Sequence, residues 1–136
     1  MTSFQNLIAV LTALITPAKF TFATEKELQD QLEQLFHGSR DIDDPMFGGP
    51  QRELVFSREM KLPGAGQPDF SIYWQGKIAV EVKISGSVET HLVQLKRYAH
   101  HAEVFGVILI CNKPWTVPET LDGKPCALIS IGNNRL

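Results

Sequence analysis

A chain of 136 residues is the size of one domain and long enough for one real core. A hydrophobic share of 43% with 21% charged residues is ordinary for a soluble globular protein and excludes a disordered one. The formal net charge of −2 counts mildly against a nucleic-acid binder, although a charged groove can sit on a nearly neutral chain.

Residues 1–18 have an apolar middle and small residues near Ala18, the pattern of a signal peptide, but no positive charge precedes the middle. The stretch is also too short to span a bilayer, so a partly buried amphipathic helix ended by Pro17 is expected. Residues 24–37 repeat Leu28, Leu32, Leu35 and Phe36 at helical spacing, and Gly38 follows as a stop. Residues 38–50 hold Gly, Ser, Pro and the acids Asp41, Asp43 and Asp44; Pro45 breaks any calcium-loop pattern, so a solvated loop is expected. Strands are predicted over residues 52–60, 70–74 and 78–84, with a glycine-rich bend at 63–67 and a turn around Gly76. Residues 88–101 read as a helix whose apolar stripe is Val88, Leu92, Leu95 and Ala99. The apolar run 104–111 suits a buried central strand, 112–126 reads as loop, and 127–131 as a last short strand. Nothing divides residues 1–136 into two domains: the N-terminal helix precedes a core from residue 24 onward. The cysteines Cys111 and Cys126 belong to no C-x-x-C pair, which favours free thiols in a reducing, cytoplasmic setting over a disulfide.

Chemistry concentrates on two of the strands. Asp69 stands twelve positions before Glu81, and Glu81-Val82-Lys83 follows. Strand alternation puts Glu81, Lys83 and Ala79 on one face, and Val80, Val82 and Ile84 on the other. If Phe70, Ile72 and Trp74 share the apolar face, Asp69 and Ser71 lie beside Glu81 and Lys83. A two-residue turn at Gln75-Gly76 would pair Asp69 with Val82, on the wrong face; a three-residue turn including Lys77 pairs Ser71 with Glu81. The longer turn is therefore predicted. Two carboxylates held that close repel unless a cation joins them, and a hard divalent ion such as Mg2+ suits oxygen ligands. Such an ion neutralises a phosphate and activates a bound water, while Lys83 stabilises developing charge. The bland alternative is a solvated cluster of charges.

This arrangement resembles the PD-(D/E)XK nuclease superfamily from about Thr24 onward. The motif falls on Pro68-Asp69 and on Glu81-Val82-Lys83. The resemblance implies an α/β, restriction-endonuclease-like fold: a mixed β-sheet flanked by helices, with an α-β-β-β-α-β core and here an extra N-terminal helix. It implies a Mg2+-dependent deoxyribonuclease in which Mn2+ substitutes, with Asp69, Glu81 and the Val82 carbonyl on the metal and Lys83 catalytic. Gln94 and Tyr98 fit the glutamine-to-tyrosine spacing of RecB-type members; Gln94 would act near Lys83 or a phosphate oxygen, and Tyr98 would meet sugar or base. His91, Gln94, Tyr98 and His101 are expected on one polar stripe, with the histidines solvated. A further carboxylate from the second helix is implied, and Glu25 and Glu27 compete for it. Thr24-Glu-Lys-Glu27 reads as a capping box, which occupies Glu27 and favours Glu25. Arg58, Lys77, Lys96 and Arg97 are candidate contacts to the DNA backbone, with Arg40 closing over it from the loop. DNA is the expected substrate and RNA stays open. The glycine-rich approach at residues 64–69 also looks like Holliday-junction resolvases, so branched DNA stands beside duplex and single-stranded DNA as a candidate substrate, with endo- and exonuclease action both open. The small size points to structure-specific cutting (a structure-specific endonuclease), a homodimer or a larger assembly, with no membrane partner. The alternative is a nuclease-like module that only binds nucleic acid or protein.

Overall fold

A computed structural model describes residues 2–38 and 54–131 of the chain. Arg40 and the aspartates of the 38–50 loop lie outside the described residues, as do the first residues expected for the 52–60 strand. Helix α1 (Ser3–Ile15) opens on a capping box, with the Gln5 N–H donating to Thr2 Oγ1 and the Thr2 N–H to Gln5 Oε1. Its buried Leu7, Leu11 and Ile15 repeat every four residues and pack into the core, and the helix stops short of Pro17. Helix α2 (Glu25–His37) is capped by Thr24 in the same way and buries Leu28, Leu32 and Phe36.

Among the described residues six strands form one open sheet: β1 (Phe56–Arg58), β2 (Phe70–Tyr73), β3 (Lys77–Lys83), β4 (Val104–Cys111), β5 (Thr120–Leu121) and β6 (Lys124–Ser130). Their order is β1-β2-β3-β4-β6-β5. β1, β2 and β3 are antiparallel neighbours, whereas β3, β4 and β6 run parallel. Helix α3 (Val88–Ala99) makes the crossover that the parallel β3–β4 pair requires. The protein is thus a mixed α/β fold with three helices among the described residues, and α2-β1-β2-β3-α3-β4 follows in chain order.

Alternation along the strands builds two cores. Phe70, Ile72, Val80, Val82, Ile108 and Ile110 face α1 and α2, while Ala79, Val107 and Leu109 face Leu95, Tyr98 and Ala99 of α3. The segment 112–126, expected to be loop, contains β5 and the start of β6. A two-residue Asp122-Gly123 turn joins them, both residues at positive φ (49° and 76°).

The β2–β3 turn has the expected three residues, but they are Trp74, Gln75 and Gly76 rather than a set including Lys77. Tyr73 pairs with Lys77 and Ser71 with Ala79, not with Glu81. The face assignment survives, because a shift of two residues preserves it. The sequence neighbour of Phe70↔Val80 is then Asp69 opposite Glu81. Gly76 is required here: its φ is +138°, and a Cβ would stand 2.4 Å from the Phe105 ring.

Candidate active site

Asp69 enters β2 just as Glu81 passes along β3, and the two are laced together through the backbone. The Val82 N–H donates to Asp69 Oδ2 at 2.7 Å, and the Asp69 N–H donates to Glu81 Oε1 at 3.2 Å. In an extended strand a residue's N–H and C=O leave on the same edge, so the Val82 carbonyl also faces the Asp69 side. Glu81 is only 4% exposed. Its Oε1 takes a second hydrogen bond, 2.8 Å, from the Tyr98 hydroxyl, and Gln94 Nε2 donates to that hydroxyl oxygen at 2.7 Å. One turn of α3 thus carries a relay, Gln94 to Tyr98 to Glu81.

Lys83 lies two residues beyond Glu81 on the same face. Its Nζ is 3.5 Å from Glu81 Oε2 and 3.7 Å from Glu25 Oε1. Glu25 belongs to the first turn of α2, on the opposite side of the sheet, and reaches the end of β3 from there. Glu27 is occupied elsewhere, its Oε1 accepting from the N–H groups of Thr24 and Ala23. The capping-box role expected of Glu27 is thus observed, and Glu25 is the one of the two that reaches Lys83.

Burial and mutual repulsion dominate the electrostatics. Asp69 is pushed up to about 7, first by burial and then by Glu81, against the opposing pull of the Val82 N–H and Lys83. Burial also raises Glu81, opposed by the Tyr98 hydrogen bond and the Lys83 charge. Burial works against the Lys83 ammonium, but Glu81, Glu25 and Asp69 outweigh it and hold its pKa above the ordinary value. Lys83 thus stays charged and can act as a hydrogen-bond donor.

Among the described residues no three His, Cys, Asp or Glu side chains converge as a ready metal cage. Asp69 and Glu81 form a two-carboxylate set, with Glu25 held off by the intervening Lys83. No hydrogen bond among the described residues engages Asp69 Oδ1, so that oxygen, Glu81 Oε2 and the Val82 carbonyl make an oxygen donor set suited to Mg2+.

Several expected contacts are placed differently. Tyr98 is 1% exposed and its hydroxyl is spent on Glu81, so it cannot meet sugar or base; it positions a carboxylate instead. Gln94 acts on Tyr98 and not on Lys83. Arg58 is pinned by Asp30 (2.6 Å), Glu33 (2.8 Å) and Gln29, tying β1 to α2, so it is not a free cation for a DNA backbone. Lys77 is half-buried by Tyr73 and Glu103. His91 is buried against Trp115, with Nε2 2.7 Å from the Ser85 carbonyl oxygen, rather than solvated. Lys96 and Arg97 are exposed as expected, on the outer face of α3. Sequence reasoning missed two ties, the Arg58 clamp and the lacing of Asp69 to Val82. The only sequence signal for the first was Asp30 and Glu33 three apart on α2.

Cys111 and Cys126 are free, buried thiols, as expected. No helix among the described residues is long and apolar enough to cross a membrane. Comparison with family models, with curated proteins and with solved structures gives no match for this chain.

Proposed function

We propose that this chain is a magnesium-dependent nuclease of the PD-(D/E)XK type on a restriction-endonuclease-like core, hydrolysing phosphodiester bonds of DNA. The observation that carries the reading is the pair Asp69 and Glu81, locked face to face in a buried site with Lys83 beside them. A binding module has no use for a second carboxylate that drives up the pKa of a buried first one. Asp69, Glu81 and the Val82 carbonyl would hold Mg2+ or Mn2+, which when bound neutralises the scissile phosphate and acidifies a water. Lys83 offers a charged N–H donor toward the oxygen where negative charge grows. Glu25 holds Lys83 in place from α2, and Tyr98, itself held by Gln94, fixes the orientation of Glu81. Free buried thiols fit a cytoplasmic setting. A domain this small leaves substrate choice to DNA structure, to a homodimer or to a larger assembly.

Labelled linear, single-stranded and four-way-junction DNA, with a matched RNA, test this with Mg2+, Mn2+ or EDTA. Cleavage should require the metal and vanish in Lys83→Ala. Binding without cleavage in any metal would overturn the enzymatic reading and leave the module that only binds.

A further inference from the structure

The outer face of α3 presents Val93, Lys96, Arg97 and His100 at positions i, i+3, i+4 and i+7, one continuous strip. The strip borders a groove of about 560 Å3, the size that holds a small ligand or a few units of a strand. Across it stands the turn at residues 63–65, closed on itself because the Leu62 N–H donates to Gly66 O (2.7 Å) and the Gly66 N–H to Leu62 O (3.2 Å). The far end is fixed by the β5–β6 turn: His100 Nδ1 lies 2.9 Å from Asp122 Oδ2, and Lys124 Nζ donates to the His101 carbonyl at 2.9 Å. These walls are built by backbone and hydrogen bonds before any ligand arrives.

The chemistry of the lining selects a ligand. No ion pair among the described residues engages Lys96 or Arg97, whereas Asp122, the one carboxylate of the groove, is spent on His100. Two free cations therefore stand on the rim of walls that are mostly apolar, made by Val93, Pro63 and Ala65. His100 and His101 add flat imidazole surfaces. Phosphates on a cationic rim and base faces on apolar or planar walls are how an unpaired strand is held. A duplex hides its base faces and so would leave the apolar and imidazole walls of the groove without a partner. The groove also adjoins the candidate active site. At Gly66, the end of the turn, a Cβ would stand 3.3 Å from Gln94 Nε2 and 3.4 Å from the Tyr98 ring, the relay that ends on Glu81.

We propose that this groove seats an unpaired nucleic-acid strand and leads it to the candidate active site. The inference rests on the nuclease reading and narrows its substrate class to DNA with a single-stranded portion: a flap, a frayed end or an open junction.

Fluorescence anisotropy with the full chain in EDTA tests it without cleavage, using a labelled oligo-dT strand and a blunt hairpin duplex as probes. The strand should bind more tightly than the duplex. Lys96→Ala/Arg97→Ala, a change confined to exposed side chains, should weaken strand binding roughly 10–30-fold near 0.1 M salt and lower the salt slope by about 1.4. Val93→Asp should weaken it too, whereas Lys19→Ala, in the exposed α1–α2 connection, should lose less than about 2-fold. Strand binding unaffected by the double change, or a preference for the blunt duplex, would overturn the groove even if metal-dependent cleavage is found. Groove-dependent strand binding by a protein that cleaves nothing would uphold the groove and overturn the nuclease reading.

Discussion

Asp69→Asn should make the metal-free protein more stable at pH 8 while removing its activity. The unfolded chain releases the Asp69 proton near the ordinary 3.8 and the folded one at about 7. Between those values folding takes up a proton, so the stability this group contributes is full below 3.8 and is lost as pH rises through 7. A shift of about 3 units sets a ceiling of roughly 4 kcal/mol. The carboxyl keeps some contact with solvent, which screens the repulsion from Glu81, and about 2 kcal/mol is the expectation. Asparagine has the shape of the protonated acid and can accept the Val82 N–H in its place. With an unfolding entropy of about 2.1 cal/mol/K per residue over 136 residues, 2 kcal/mol corresponds to about 7 °C in Tm. Thermal and urea unfolding in EDTA at pH 8 and pH 4.5 would read the difference between variant and wild type. At least half of the gain should disappear at pH 4.5, and effects common to both proteins cancel. Mn2+ at pH 8 should raise the wild-type Tm with concentration and the variant's much less. A variant no more stable than wild type at pH 8, or equally favoured at both pH values, would refute the argument that Asp69 and Glu81 repel in a buried site.

Lys83→Ala should abolish cleavage while leaving Mn2+ binding by calorimetry largely intact, since carboxylates hold the ion; unchanged cleavage would sink its role. Tyr98→Phe removes a hydrogen bond to a buried carboxylate, worth about 1.5–3 kcal/mol. Its loss lets Glu81 rise further, so the acid limb of the pH–rate profile should move to higher pH; an unmoved limb would show that the relay does not govern Glu81. Glu25→Gln should lower cleavage strongly with little change in Tm. Glu27→Gln should leave both nearly normal, because glutamine serves the capping box, and the reverse pattern would assign the helix carboxylate to Glu27.

Periodicity carried most of the architecture. The stripes of α1 and α2 and the alternation along β2 and β3 were legible because burial of one face imposes them, and they placed Asp69, Glu81 and Lys83 together. Register was less legible. Alternation requires an odd turn but does not say which three residues form it, and the contacts made there, Gly76 against Phe105 and the Trp74 indole donating to the Ser3 carbonyl, are tertiary. On α3 the expected stripe was slightly rotated. The buried face runs through His91, Leu95, Tyr98 and Ala99, so Tyr98 is inside and Leu92 only partly buried. The i, i+4, i+7 spacing of His91, Leu95 and Tyr98 was readable, but polar side-chain atoms hid it. Arg58 could not be placed from sequence, since its partners lie 25 or more positions away on α2. The β5–β6 hairpin had a local signal in Asp122-Gly123, obscured by the short strand before it.

The charge balance of the site separates its two readings. Were Lys83 present only to neutralise a buried carboxylate, Glu81 alone would satisfy it. Instead α2 delivers a third carboxylate, Glu25, to the same ammonium, at a point where its helix crosses to the end of β3. Three acids then share one base. The Tyr98 hydroxyl and the backbone N–H groups of Asp69 and Val82 hold two of those acids in place, although they do not cancel the charge. On the nuclease reading, a cluster kept half-buried and net negative would be preorganised to attract a cation. The same preorganisation makes the metal-free state less stable at alkaline pH. Higher stability with lost cleavage in Asp69→Asn would therefore mark a site whose repulsion serves binding, whereas loss of both would mark a structural cluster.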